Sequence, residues 1–273
     1  MKRQGSKIDE ASTSQIKINV PIEGNILLEK VLIEINSNRE IKTLWRIINV
    51  NAIERLGFTD HGPTHFNIVA NYGLQIARIL EKKGVTMSIV RDFGLTKMHA
   101  EVVIFLGCIM HDLGMSIHRE NHEIFSLSIA RDFMKEMLSF LPIEERTVLI
   151  SETLHAIISH SHGSAGKTST LEGGIVRIAD ALDMSKGRSR IPYQMGQIDI
   201  HSVSANAIES VTVKVGKDKP VEIKIVMTTE AGVFQVDDFI EEKLESSGLT
   251  KYVDVISYLK EHGKERIYKD YTS

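Results

Sequence analysis

The chain has very little cysteine, since Cys108 is the single one among 273 residues. One cysteine excludes an intramolecular disulfide framework of the kind that stabilises small secreted domains. Cys108 lies inside the apolar run 102–110, and neither a basic neighbour nor a helix start is evident there to activate its thiol. We therefore predict that Cys108 is a small, buried core residue.

The chain also lacks a long apolar segment and a strong net charge. No apolar stretch approaches the length of about 20 residues that a membrane span requires. The basic N-terminus is not followed by the apolar core of a signal peptide. These features predict a cytoplasmic protein that has no membrane partner. The net charge of -3 provides no general attraction for nucleic acid, although a local basic patch could hold a small anion.

Apolar residues make up 42% of the chain, which is enough for a sizeable core. From about position 25 to 185 they recur at helical spacing, interrupted by the helix-ending residues Gly57, Gly84, Gly114 and Pro142. Pro63 is placed to begin one of these helices, and a loose tail or an edge strand is expected before position 20.

Beyond position 200 the pattern changes to alternation with period two. Two such segments flank a Gly-Lys-Asp-Lys-Pro turn and predict a β-hairpin at 210–226. A short helix at 236–244 and a strand at 252–256 are predicted to follow. The fold class is therefore mainly α, with a tail at 1–20, a helical domain at 21–200 and a small α+β appendage at 201–273.

Histidine is concentrated around the doublet His111-Asp112. Nine of the eleven histidines fall between positions 61 and 162, namely His61, His65, His99, His111, His118, His122, His155, His160 and His162. Scattered core histidines do not cluster in this way, whereas imidazole and carboxylate groups together are typical ligands of divalent transition metals. The sequence therefore predicts a metal-dependent hydrolase whose ligands come from several helices.

Three segments, in the order His65, His111-Asp112 and Asp180, resemble the HD superfamily of metal-dependent phosphohydrolases. His-Phe-Asn-Ile-Val-Ala from His65 resembles the family's first-histidine helix, and His-Asp-Leu-Gly-Met from His111 resembles its His-Asp doublet. Arg-Ile-Ala-Asp-Ala-Leu-Asp, which contains Asp180, resembles its last aspartate helix. The resemblance covers about residues 40–200. It implies an HD-domain-like helical bundle around a metal, and hydrolysis of phosphate esters.

The resemblance also implies which side chains hold the metal. His65, His111, Asp112 and Asp180 would bind one ion, and Asp112 would be central to catalysis because the ion activates water. Mn, Fe, Ni, Co and Zn all suit imidazole and carboxylate ligands, and Mg suits a more oxygen-rich set.

Some members of the superfamily bind a second ion, bridged by the aspartate of the doublet. In this chain His122 and His160 are the best candidates to hold it, with His118 and His162 as alternatives. The family often has two adjacent histidines where this chain has His160-Ser161-His162. Whether one or two ions bind is left open.

A substrate phosphate needs positive charge beside the metal. Arg177 lies three residues before Asp180, on the same predicted helical face. Lys186, Arg188 and Arg190 follow the aspartate helix directly. Arginine suits phosphate because its planar fork donates two parallel hydrogen bonds. We predict that these four cations bind substrate, and the alternative is that they only complete a helix C-terminus.

Two further residues near the predicted site have more than one interpretation. Asp183, three residues after Asp180, is a second catalytic candidate that would either orient a ligand histidine or contact substrate. The alternative for Asp183 is a solvated helix carboxylate. His61 is interpreted as a loop residue or a substrate contact rather than a ligand.

These features predict a metal-dependent phosphomonoesterase or phosphodiesterase acting on a small phosphorylated substrate, with a nucleotide favoured. The chain lacks the Gly-Tyr-Pro signature of the cyclic-dinucleotide branch, which disfavours that substrate. Two alternatives are a dinuclear iron oxygenase of the same superfamily and a regulatory module that senses nucleotide or metal without turnover. The predicted hairpin offers an edge through which a homo-oligomer could form.

Overall fold

The structure is a computed structural model that describes residues 13–161, 167–184, 204 and 206–271, with the backbone alone for Asp238 and Phe239. Eight helices form the helical domain within the described residues: α1 Ile26–Ser37, α2 Arg39–Asn49, α3 Pro63–Lys82, α4 Ser88–Phe93, α5 Lys97–Met110, α6 His122–Met137, α7 Ile143–Ile158 and α8 Leu171–Ala181. Helix α2 continues into a π-helical turn, Val50–Arg55, and a 3-10 turn, Leu113–Ser116, follows α5.

Polar caps and glycines set several of the helix ends. The side chains of Asn25 and Asn38 each accept hydrogen bonds from two backbone N–H groups in the first turns of α1 and α2. Pro63 begins α3, where a missing N–H group leaves no hydrogen bond unmade. Gly57 and Gly84 follow helical segments with φ of 71° and 82°, a conformation that favours glycine. These ends agree with the sequence pattern.

Helix α5 is the centre of the helical domain. Every residue from His99 to Met110 is buried, and the helix packs against α1, α3, α7 and α8. Cys108 is buried as predicted, and burial raises the pKa of its thiol well above the usual value. By length and composition the segment Lys97–Ser116 could cross a membrane, but 94% of its most apolar window is buried inside the protein. The other helices therefore cover its apolar surface.

The described part of the N-terminal segment packs against the helices. Ile18 and Val20 are buried, and the Asn36 side chain donates to the carbonyl of Ile18 and accepts from its N–H, both at 2.9 Å. The backbone N–H of Asn19 donates to Asn67 Oδ1 at 2.7 Å. Residues 16–20 therefore form an irregular segment that α1 and α3 hold in place, and they do not form the edge strand that was one of the two expectations there.

Four strands form the sheet of the C-terminal appendage: β1 Ile208–Val215, β2 Val221–Met227, β3 Val253–Glu261 and β4 Lys264–Asp270. Their order is β1-β2-β3-β4, with antiparallel pairs β1/β2 and β3/β4 and a parallel pair β2/β3. The β1/β2 pair is the predicted hairpin, whereas β4 was not expected. The fold class, mainly α with a small α+β appendage, is confirmed.

Parallel pairing of β2 with β3 requires a crossover connection, because the chain must return to the same end of the sheet. The crossover is helical: α9, Gly232–Val236, continues through a π-helical turn, Asp237–Glu241, into α10, Glu242–Ser246. This segment extends the short helix predicted at 236–244 in both directions.

The appendage is attached to two helices of the bundle. Tyr72 and Gln75 on α3 donate hydrogen bonds to the backbone carbonyls of Val211 (3.1 Å) and Val213 (2.8 Å) on β1. On the other side, a Cβ added to Gly174 of α8 would lie 2.1 Å from the carbonyl oxygen of Ser247. Helix α3 therefore covers part of the β1 edge, and pairing of the hairpin with a second chain stays a prediction. The predicted domain boundary at 200 lies outside the described residues and stays a prediction.

Candidate metal centre

The ends of five helices meet at the C-terminal end of α5 and bring all six predicted ligands together. His65 lies in the first turn of α3, and His111 and Asp112 follow α5 directly. His122 begins α6, His160 follows α7, and Asp180 lies in the last turn of α8. Residues from 65 to 180 in sequence therefore converge on one place.

One set of donor atoms is formed by His65, His111, Asp112 and Asp180. The Nε2 atoms of His65 and His111 are 3.2 Å apart, and Asp180 Oδ1 lies 3.4 Å from the first and 3.5 Å from the second. Asp112 Oδ2 lies 3.4 Å from His111 Nε2 and 3.9 Å from His65 Nε2. Two imidazole nitrogens and two carboxylate oxygens thus point at a common centre.

A second set lies on the other side of Asp112. Its Oδ1 atom is 2.9 Å from His122 Nε2 and 3.6 Å from His160 Nε2. The two imidazole nitrogens are themselves 3.2 Å apart. Each oxygen of the Asp112 carboxylate therefore belongs to a different group of imidazoles.

The Nδ1 atom of each of these four histidines is held by an acceptor outside the centre. His65 Nδ1 lies 2.7 Å from Asp183 Oδ2, and His111 Nδ1 lies 2.9 Å from the carbonyl of Cys108. The carbonyls of Arg119 and Ile157 lie 2.8 and 2.6 Å from Nδ1 of His122 and His160. These acceptors require a proton on Nδ1, which assigns the lone pair of each neutral ring to Nε2.

The donor set fits a divalent metal. Paired Nε2 lone pairs 3.2 Å apart repel each other unless a cation lies between them, and the carboxylates of Asp112 and Asp180 attract one. Acceptors behind the ligand imidazoles are the usual arrangement around protein-bound metals. By the distances between their donor atoms, three groups in this cluster could hold an ion: His61, His65 and Asp112; His65, His111 and Asp180; and His111, Asp112 and His160.

Gly114 places His122 beside the doublet. A Cβ on Gly114 would lie 2.0 Å from the carbonyl oxygen of His122 and 2.7 Å from the backbone nitrogen of Ser126. The Ser126 hydroxyl accepts from the Gly114 N–H at 2.8 Å and donates to the carbonyl of His111 at 2.7 Å. The glycine is therefore required for the close approach of the turn to α6, and not for a positive φ.

The charges of the centre reinforce one another. Burial would lower the pKa of His111, but the carboxylates of Asp112 and Asp180 outweigh it and raise that pKa to about 10. Burial would raise the pKa of Asp112, but His111 and His122 hold it well below its usual range. Burial, with the charges of His111 and His122, lowers the pKa of His160 to about 4. The carboxylates of Asp112 and Asp180 thus stabilise positive charge between them.

Two predicted residues take up positions behind the donor atoms. Asp183 is buried and contacts the far side of His65, which agrees with its orienting interpretation and not with a substrate contact. Arg177 is fully buried and donates to the backbone carbonyls of Ser159, at 2.8 Å, and Ser161. Because the Arg177 guanidinium binds the backbone after α7, its predicted contact with a substrate phosphate has no support in this geometry. Lys186, Arg188 and Arg190 lie outside the described residues.

The remaining histidines are divided between the site and the rest of the fold. His61 was not favoured as a ligand, yet its Nδ1 lies 2.7 Å from Asp112 Oδ2. His118 is exposed, and its Nδ1 accepts from the backbone N–H of Glu120. His155 accepts from the backbone N–H of Ser169. His162 lies outside the described residues.

Lys243 gives no sign of its role in the sequence. It lies on α10 of the appendage, it is 3% exposed, and its Nζ is 2.6 Å from Asp180 Oδ2. Its charge helps to hold the pKa of Asp180 well below the usual range against the effect of burial. No local pattern could have indicated this contact, because it depends on how the crossover packs against α8.

The comparisons with known proteins agree with this geometry. The model of the HD domain matches residues 64–185. The uncharacterized protein MJ1020 of Methanocaldococcus jannaschii is 41% identical over 223 residues, which are 81% of this chain and 85% of that protein. This chain belongs to the HD domain family. No solved structure matches it significantly.

Membership of the HD domain family places the chain in the superfamily of metal-dependent phosphohydrolases, whose domains bind divalent metals. The matched segment begins one residue before His65 and ends two residues after Asp183. All six candidate ligands lie within it. Lys243 lies outside it, so the cation beside Asp180 comes from a part of the chain that the HD domain match does not cover.

Proposed function

We propose that the protein is a cytoplasmic metal-dependent phosphohydrolase that acts on a small phosphorylated substrate, with a nucleotide as the first choice. The placement of Asp112 carries the proposal. Its Oδ1 lies 2.9 Å from His122 Nε2, and its Oδ2 lies 3.4 Å from His111 Nε2. One carboxylate shared by two imidazole groups suits a pair of ions that act together on one phosphate.

The ligands divide into two groups. His65, His111 and Asp180 would hold one ion together with Asp112 Oδ2. His122 and His160 would hold the other ion together with Asp112 Oδ1. When bound, divalent cations at such a site lower the pKa of a coordinated water and neutralise negative charge on the phosphoryl group.

The protein groups around these ligands exclude water on one side and leave the other side accessible. The side chains of His65 and His111 are 0% and 1% exposed, whereas those of His61 and His122 are 17% and 21% exposed. Substrate would therefore approach past His61 and His122. Asp183 and the backbone carbonyls keep the imidazoles oriented throughout, so that the donors need little rearrangement when substrate binds.

Positive charge for the substrate is proposed to come from the segment after α8. Arg177 is buried behind the site, which leaves Lys186, Arg188 and Arg190 as the candidates from the sequence. Arginine in this segment would give bidentate hydrogen bonds to a phosphate. A nucleotide is the first substrate class to test, and the experiment compares nucleotides with simple phosphate esters.

The test is phosphate or nitrophenol release by the purified protein. The substrates are p-nitrophenyl phosphate, bis(p-nitrophenyl) phosphate and nucleoside mono-, di- and triphosphates, each with Mn²⁺, Fe²⁺, Co²⁺, Ni²⁺, Zn²⁺ or Mg²⁺. We expect hydrolysis of at least one substrate, lowered at least 100-fold or so in Asp112→Asn, because a metal-dependent step supplies several kcal/mol. The exposed Asp132→Asn is the control, since the Asp132 side chain is 79% exposed.

Two results would overturn the proposal. One is a protein that binds metal yet releases no product from any substrate with any metal. The other is an Asp112→Asn variant that retains the wild-type rate. An iron-loaded protein that consumes oxygen in the presence of a phosphorylated substrate, without releasing phosphate, would replace the hydrolase with an oxygenase.

A further inference from the structure

We infer that Lys243 is a positioning residue of the metal centre, through which the C-terminal appendage fixes the Asp180 carboxylate. The inference rests on the metal binding of the proposed function, but not on the reaction that follows. It gives the appendage a role that neither the HD domain match nor the sequence pattern assigns.

The geometry of Asp180 divides its two oxygens between different partners. Oδ1 faces the imidazoles, 3.4 Å from His65 Nε2 and 3.5 Å from His111 Nε2. Oδ2 faces away from them and lies 2.6 Å from Lys243 Nζ. A carboxylate rotates easily about its last torsion, so a charged hydrogen bond to one oxygen defines where the other oxygen points.

The burial of Lys243 excludes an incidental surface ion pair. Its side chain is 4% exposed and that of Asp180 is 13% exposed, whereas the other lysine pairs described in the appendage are much more accessible. An ammonium group removed from water is strongly unfavourable without a partner, and surface pairs contribute little. Pairing with Asp180 therefore compensates for the burial of the Lys243 ammonium group.

The appendage holds Lys243 in place through several contacts to α8 and the residues before it. Thr168 donates through its hydroxyl to the carbonyl of Ser247 at 2.9 Å, directly after α10. Gly174 allows the Ser247 carbonyl to approach α8 so closely that a Cβ would be 2.1 Å away. Beside Lys243, the Glu242 carboxylate lies 3.5 Å from the Arg177 guanidinium. The crossover helix is thus packed directly against the helix that carries Asp180.

Two effects of Lys243 on metal affinity have opposite signs. Orientation of Asp180 strengthens binding, because a partner of a ligand typically contributes 10- to 100-fold in affinity. Charge repulsion between the ammonium group and the cation weakens binding. The contact between Lys243 and Asp180 is short, and the negative charge of the Asp180 carboxylate lies between the ammonium group and the cation. Orientation is therefore the larger effect.

The experiment is a calorimetric titration of the full-length protein with Mn²⁺ and with Co²⁺. In Lys243→Met, which keeps the buried stem but removes the ammonium group, we expect roughly 10- to 100-fold weaker binding and a changed Co²⁺ absorption spectrum. Lys243→Gln retains a hydrogen-bond donor, so its affinity should lie between those of Lys243→Met and the wild type. Lys260→Met is the matched control, because Lys260 pairs with Glu209 on the exposed face of the sheet.

The outcomes separate this inference from the proposed function. A wild type that binds neither ion overturns both. A wild type that binds metal while Lys243→Met binds it equally or more tightly overturns the inference alone, as does a Lys243→Gln variant that binds no better than Lys243→Met. If Lys243→Met does not fold, the metal affinity of Lys243→Gln is compared with that of the wild type. Equal affinities would then overturn the inference.

Discussion

Asp183 lies directly behind His65, with its Oδ2 atom 2.7 Å from the Nδ1 atom of the imidazole. Both side chains are buried, so the carboxylate fixes the ring orientation and raises the basicity of Nε2. The two aspartates at the end of α8 therefore have different roles. Asp180 faces the metal centre, and Asp183 holds the ligand His65 from outside the centre.

The first prediction concerns this pair. Asp183→Asn should weaken binding of the first metal ion roughly 10- to 100-fold, because the amide removes the charge behind the ligand. Isothermal titration with Mn²⁺ measures the effect, and the exposed Asp132→Asn serves as control. Unchanged affinity in Asp183→Asn would show that the carboxylate does not support the ligand.

The second prediction concerns the number of ions. Elemental analysis should find near two metal equivalents in the wild type and about one in His122→Ala, because His122 belongs to one donor group only. Asp112→Ala should lose both, since the Asp112 carboxylate serves both groups. The exposed His118→Ala is the control, and metal loss in His118→Ala with full retention in His122→Ala would reverse the assignment.

The third prediction concerns the turn after α5. Gly114→Ala should lower the free energy of unfolding by about 1–3 kcal/mol or more, because the added Cβ meets the backbone of His122 and Ser126. Urea denaturation measures the change, and metal content should fall with it as α6 moves away from the doublet. Ser128→Ala, on the exposed face of α6, should leave both quantities nearly unchanged. An unfolding free energy equal to that of the wild type would contradict the packing described.

The fourth prediction is a pH dependence of stability at Glu81 on α3. Burial, and next the negative charge of Glu101, raise the pKa of Glu81 from 4.5 to about 7, and Glu81 Oε1 has no hydrogen-bond partner among the described residues. Between those two values the folded protein binds more protons at Glu81 than the unfolded chain does. Stability is therefore lost as the pH rises through this window.

Glu81→Gln removes that loss and should stabilise the protein by about 1–3 kcal/mol at pH 8, with a much smaller difference at pH 4.5. Thermal unfolding at the two pH values measures it. The exposed Glu54→Gln should show no such dependence. A stability difference between Glu81→Gln and the wild type that does not grow with pH would contradict the raised pKa.

Most of the helical domain could be predicted because its boundaries are local. Pro63, Gly57 and Gly84 act within one turn of the chain, and apolar spacing identifies a helix from a dozen residues. The quartet of ligands was recognisable because the first histidine, the doublet and the last aspartate each lie in a short characteristic segment. Helix α4 and strand β4 were not predicted. Both are short, and the residues of β4 do not alternate between buried and exposed positions.

The roles of individual charged side chains were harder to predict because they depend on packing. Arg177 lies on the same helix as Asp180, but its guanidinium turns toward the backbone after α7. Lys243 is 63 residues beyond Asp180 in sequence, and the two meet only when α10 packs on α8. His61 reaches Asp112 because the loop before α3 is held by Asn49, which accepts from the His61 N–H at 3.1 Å. Spacing along one element contains no information about such contacts.

The parallel pairing of β2 with β3 has a consequence for the order in which the molecule is made. The crossover that carries Lys243 is anchored at both ends by strands, and β3 begins at Val253. A ribosome that has released the six candidate ligands has therefore not yet released the strand that fixes Lys243 beside Asp180. The pair between Asp180 and Lys243 therefore depends on a strand that emerges after all six candidate ligands.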